Sequence, residues 1–129
     1  MEISVGIPSY NEGVALRFLI SRILSQKLPP DIRLREVIVS DDSNDETLKL
    51  LEEFSKTETV KVLHHQQRRG VSTAWNEILS TAQGDIIALI DADIIPSENL
   101  LALLCSEILA STRIGLVAAN SSPLPPKRR

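Results

Sequence analysis

A chain of 129 residues, 43% hydrophobic and 24% charged, has the size and balance of one globular domain able to bury a core without staples. Its formal net charge of −3 argues against general nucleic-acid binding, which needs a basic face. The lone cysteine, Cys105, excludes an internal disulfide and reads as a buried structural thiol in a reducing, cytoplasmic setting. No apolar run reaches the length of a membrane span, and the first residues lack the basic start of a signal peptide.

Short, mostly β-branched runs alternate with segments of helical periodicity. Residues 3–7 predict a first buried strand, followed by a helix whose stripe is Leu16, Leu19, Ile20, Ile23 and Leu24. Residues 37–39 predict a second strand. Ser43 and Glu46 then read as a capping box for a helix carrying Leu48, Leu51 and Phe54. Residues 60–63 predict a third strand, and Trp75, Ile78, Leu79 and Ala82 the inward face of the next helix, which should stop at Gly84. Residues 86–90 predict a fourth strand. Pro96-Ser97 opens a helix with Ser97 as N-cap and Leu100, Leu103, Leu104 and Ile108 as its stripe. Residues 116–119 predict a fifth strand. The pattern implies one domain over residues 1–120, a three-layer α/β/α unit with a mainly parallel, Rossmann-like sheet. Residues 121–129 hold three prolines and three basic residues and read as a tail or linker.

Open parallel sheets bind ligands outside the carboxyl ends of their strands. Here those ends carry Pro8, Ser9, Tyr10, Asn11 and Glu12, then Asp41 and Asp42, then Asp91 and Asp93. So many carboxylates on one edge repel one another unless a cation joins them. Asp91-Ala92-Asp93 after a strand suits Mg²⁺ or Mn²⁺, which take oxygen ligands and keep positions for phosphate. Alone, that triplet is more often a turn; beside Asp41 and Asp42 it reads better as a metal site. Asp41 and Asp42 exceed what capping needs and can accept from a base or ribose. Tyr10 can stack on a base. Arg68, Arg69 and Gly70 lie before a helix start, a place that favours phosphate. His64 and His65 alternate across a strand end, so they cannot share an ion and read as structural. No Gly-x-Gly-x-x-Gly follows the first strand, which argues against a dinucleotide site.

Four motifs resemble family 2 glycosyltransferases: VGIPSYNE at residues 5–12, EVIVSDDSNDET at 36–47, RGVSTAWN at 69–76 and GDIIALIDADIIP at 84–96. The resemblance implies the GT-A fold and a nucleotide-diphosphate sugar donor, with a leaning to UDP. It implies that Pro8, Ser9, Tyr10, Glu12, Asp41 and Asp42 hold base and ribose, and that Arg69 and Gly70 lie near base or phosphates. Asp93 would bind the metal, with Asp91 on the ribose or the metal shell. It implies inverting transfer to a saccharide, lipid-phosphate or protein acceptor, at the cytoplasmic membrane face in a full-length form. The acceptor half and catalytic base are expected beyond Arg129, so the chain reads as truncated; Glu98 and Glu107 fit a helix surface better. A donor-binding module without turnover is the second reading. A nucleotidyltransferase is the third, disfavoured by the acidic, glycine-poor loop after the first strand.

Overall fold

The computed structural model describes residues 1–119; the Pro-rich tail lies outside them. Eight elements alternate along the chain: β1 (Glu2–Ser9), α1 (Val14–Leu24), β2 (Arg33–Asp41), α2 (Thr47–Ser55), β3 (Val60–His64), α3 (Val71–Thr81), β4 (Ile86–Leu89) and α4 (Leu100–Ile108). The strands form one parallel sheet in the order β3-β2-β1-β4. Ser9 pairs with Asp41, and Asp41 with His64. That rung makes three strands end level, so their loops leave along one edge.

Side chains alternate across the sheet because the strand period is two. Ile3, Val5, Ile7, Val37 and Val39 share one core with Leu16, Leu19, Ile20 and Ile23 of α1, Leu50 and Leu51 of α2, and Leu101 and Cys105 of α4. Gly6 faces the other way, against α3. A Cβ there would lie 2.2 Å from Cγ2 of Ile78, so only glycine admits the helix this close. Helices thus cover both faces.

On the α3 side a carboxylate is buried. Glu36 accepts from Ser4 Oγ at 2.5 Å, Lys61 Nζ at 2.7 Å and the Gln83 N–H at 2.7 Å. Burial alone would push its carboxyl up; Lys61, Ser4 and the Gln83 amide outweigh burial and hold it below the usual range.

Several local expectations are corrected. Ser43 and Glu46 form no capping box: α2 starts at Thr47, whose N–H is met by Asp45 Oδ1 at 2.9 Å, because Ser43 is turned into the sheet edge. Ser97 does not cap α4, which begins at Leu100; its hydroxyl bonds Asn99 Oδ1 instead. The buried face of α4 is Leu101 and Cys105, one position round from the expected stripe, and Leu103 is exposed. Helix α3 stops at Thr81 rather than at Gly84, whose Cβ would sit 2.6 Å from the Ser4 backbone nitrogen. Ala74 and Ile78 form the inward face of α3; Trp75 is half-buried beside it, and Leu79 is exposed. Residues 116–119 form no strand, and Leu116 is 87% exposed. A short apolar run becomes a strand only when an edge pairs with it. This one has no ladder bonds; together with β4 it lines an apolar groove of about 1060 Å³.

Candidate functional site

The level strand ends enclose a cleft of about 280 Å³. Pro8, Ser9, Tyr10 and Glu12 enter it from the β1 loop, Ser40 and Asp42 from β2, Arg68 and Gly70 from the approach to α3, and Asp91 and Asp93 from the end of β4. Nine of the residues expected from sequence therefore meet: Pro8, Ser9, Tyr10, Glu12, Asp42, Arg68, Gly70, Asp91 and Asp93.

The loops are stapled to one another by side chains. Asn11 has φ 51°, a conformation Asn tolerates better than most residues. Its amide exchanges two 2.9 Å bonds with Asn44, and its N–H donates to Ser43 Oγ at 2.8 Å. The Gly13 N–H donates to Thr47 Oγ1 at 3.1 Å. These bonds hold the β1 loop against the β2 loop and so place Tyr10 and Glu12. Short-range patterns carry no signal for them, since the partners lie over thirty residues apart.

Asp41 departs from its expected role. It is fully buried and does not line the cleft. Its carboxylate accepts from the Ser43 N–H at 3.1 Å and Ser43 Oγ at 2.5 Å, and faces His64 Nδ1 at 2.9 Å. It anchors the β2 loop. Asp42 is 8% exposed and keeps an open side toward the cleft. Its Oδ2 accepts the N–H groups of Arg69 and Gly70 at 2.6 and 3.2 Å. Arg69 likewise differs from expectation: its backbone serves Asp42, while its side chain points to Glu77, 3.5 Å away. Arg68 faces the cleft instead, with its guanidinium 4.1 Å from the centre of the Tyr10 ring. Neighbours on an extended segment point to opposite sides, and sequence alone does not say which faces inward.

The acidic end of the cleft has no such partners. Among the described residues, no hydrogen bond or ion pair engages the carboxylates of Glu12, Asp91 or Asp93, and the two aspartates are exposed. Burial first, then the charges of Asp93 and Asp91, push the Glu12 carboxyl up. Ser9 Oγ is buried in the same cleft without a hydrogen-bond partner. Among the described residues, no three His, Cys, Asp or Glu side chains gather tightly enough to hold a cation unaided. The donor set is therefore partial. It fits a hard divalent ion that takes one or two carboxylates and completes its shell with phosphate oxygens. Glu98 is outside the cleft, paired with Lys27 at 3.0 Å, and Glu107 is exposed on α4. No described helix is long and apolar enough to cross a membrane.

Comparison with known proteins identifies the family and the fold. Residues 4–121 match the family described as Glycosyl transferase family 2. A dolichol-phosphate mannosyltransferase of Pyrococcus furiosus is 36% identical over 94 residues, covering 73% of this chain and 26% of that protein. The fold superposes on the mannosyltransferase PcManGT of Pyrobaculum calidifontis, solved with GDP-Man and Mn²⁺, with a TM-score of 0.72. Identity is 29%, covering 85% of this chain and 32% of that one. It also superposes on S. aureus TarS 1-349 in complex with UDP-GlcNAc, with a TM-score of 0.61 and 29% identity, covering 72% of this chain and 27% of that one. The chain spans between 26% and 35% of the length of the curated relatives it matches first. The four-stranded parallel sheet is thus the GT-A arrangement of these neighbours.

Proposed function

The chain is a member of glycosyltransferase family 2, and from that membership we propose that its strand-end cleft binds a nucleotide-diphosphate sugar, whose sugar is passed to an acceptor. One observation carries the reading: unpaired carboxylates, an orphaned buried hydroxyl and a Tyr–Arg pair line a single cleft. Tyr10, Ser9, Pro8 and Asp42 form the base and ribose end, with Gly70 and Arg68 closing it. Asp93 and Asp91 would hold Mn²⁺ or Mg²⁺ at the diphosphate, with Glu12 beside them. The chemistry such an ion supplies is neutralisation of charge on the leaving diphosphate. Attack by an acceptor hydroxyl opposite that group inverts the anomeric centre. UDP is the nucleotide we favour, and residues 1–120 the donor-binding unit. A cytoplasmic setting is part of this reading, supported by the buried, unpaired Cys105. Deprotonation of the acceptor falls to polypeptide outside the third of the relatives' length that this chain matches.

Calorimetry with UDP and with GDP, in Mn²⁺ and then in chelator, tests the cleft. UDP is expected to bind in Mn²⁺ and to lose roughly 100-fold in affinity in chelator. Equal affinity in both conditions sinks the metal assignment, and silence from both nucleotides sinks the cleft.

Turnover is a separate measurement. Long incubation of the 129-residue chain with UDP-sugars, Mn²⁺ and saccharide, lipid-phosphate and protein acceptors should yield little or no glycoside. A missing base forfeits about 100- to 10,000-fold in rate, and unpositioned reactants forfeit about 7–11 kcal/mol more. Repeated turnover would place a base within these residues, with Glu12 the first to mutate.

A further inference from the structure

His65 reads from sequence as structural, and it sits at the centre of a hydrogen-bonded ring joining three segments. Its Nδ1 lies 3.1 Å from Asp42 Oδ1, and its Nε2 lies 2.9 Å from Glu77 Oε2 on α3. The other oxygen of Glu77 accepts from Ser40 Oγ on β2 at 2.7 Å. The other oxygen of Asp42 takes the N–H groups of Arg69 and Gly70, where the chain turns into α3. Gly70 has φ 87°, so this entry turn holds a conformation that side-chain-bearing residues rarely adopt.

We infer that His65 and Glu77 are positioning residues for the nucleotide, a clamp that fixes Asp42 and the entry of α3 in the arrangement that receives it. The inference rests on the nucleotide-binding reading of the cleft. A planar imidazole between two carboxylates sets both their separation and the rotation of the Asp42 head group. Without it, Asp42 Oδ1 is free to swing, and Oδ2 leaves the two N–H groups that hold the entry turn. Arg68 precedes that turn directly and stacks on Tyr10, so slackening the ring loosens both walls of the cleft. His65 and Glu77 do not line the cleft themselves. Their side chains are 18% and 21% exposed, so the thermal midpoint must be read beside the affinity.

The test is calorimetric affinity for UDP and for GDP in Mn²⁺, read beside the thermal midpoint. The proteins are the full native chain, His65→Ala, His65→Gln, Glu77→Gln and the double variant His65→Ala/Glu77→Gln. Outer partners of this kind are worth about 10- to 100-fold at metal sites, and about a tenfold loss is expected for His65→Ala. His65→Gln should recover part of it, because an amide reaches one carboxylate and not both. The double variant should bind no more weakly than His65→Ala, since the two side chains act through one chain of contacts. Native binding with all variants within about twofold overturns the clamp and leaves the cleft standing. So does a fall in midpoint with unchanged affinity, which marks the ring as structural only. No native binding to either nucleotide removes the reading beneath the clamp, and the clamp with it. If His65→Ala does not fold, His65→Gln and Glu77→Gln decide the question by the same measures.

Discussion

Two acidic pairs end strands on either side of β1, and the structure treats them oppositely. Asp41 and Asp42, after β2, are buried and supplied with partners from Ser43, His64, His65, Arg69 and Gly70. Asp91 and Asp93, after β4, are exposed, and their carboxylates have no hydrogen-bonding partner among the described residues. Carboxylates of the first kind build the scaffold, because their charge is met by fixed donors within the chain. Those of the second kind repel the Glu12 carboxylate, and on the proposed reading a cation would relieve that repulsion. Residue type is the same in both pairs, and the supply of nearby N–H groups separates them.

The sharpest way to break this contrast is to exchange the roles. Asp93→Asn should cost roughly 100-fold in nucleotide affinity in Mn²⁺ by calorimetry while leaving the thermal midpoint level or slightly raised. A collapse of the midpoint would make Asp93 a scaffold group and erase the distinction. Asp41→Ala should do the reverse. Removing one member of a buried, bonded set costs about 3 kcal/mol, roughly 10 °C in a domain of this size. Chemical denaturation that shows less than about 1 kcal/mol of loss would mean the Asp41 bonds contribute little to folding.

The smallest effect belongs to Glu12. Its folded pKa is raised, so the folded state binds its proton more readily than the unfolded chain does. The cost of ionising it is absent below the ordinary value of 4.5 and grows as pH rises through the raised value. Glu12→Gln should therefore raise the midpoint by a few degrees at neutral pH without divalent ions, and by nothing below about pH 4.5. A gain that persists in acid would mean repulsion is not its source. Glu36 gives the opposite sign. Its lowered carboxyl contributes stability above the ordinary glutamate range, which is lost as pH falls through the lowered value.

Much of the fold was legible because buried strands and amphipathic helices leave periodic marks within ten or so residues of sequence. All four paired strands and all four helices fall where those marks stand. The fifth strand failed because residues 116–119 have the composition of a strand but no ladder, and pairing depends on a neighbouring edge rather than on composition. Nine of the cleft residues were legible because strand ends in a parallel sheet share an edge, so a polar residue after a strand is already placed. What sequence could not decide is which way each of those residues turns. Asp41 against Asp42, Arg68 against Arg69 and the bridging by His65 each turn on contacts across twenty or more residues. The sequence is enough to show that polar loops follow successive strands and which residue types those loops carry. Which carboxylates find donors within the chain and which do not depends on the folded arrangement, because a hydrogen bond requires a partner near 3 Å and most of these partners come from another element of the fold.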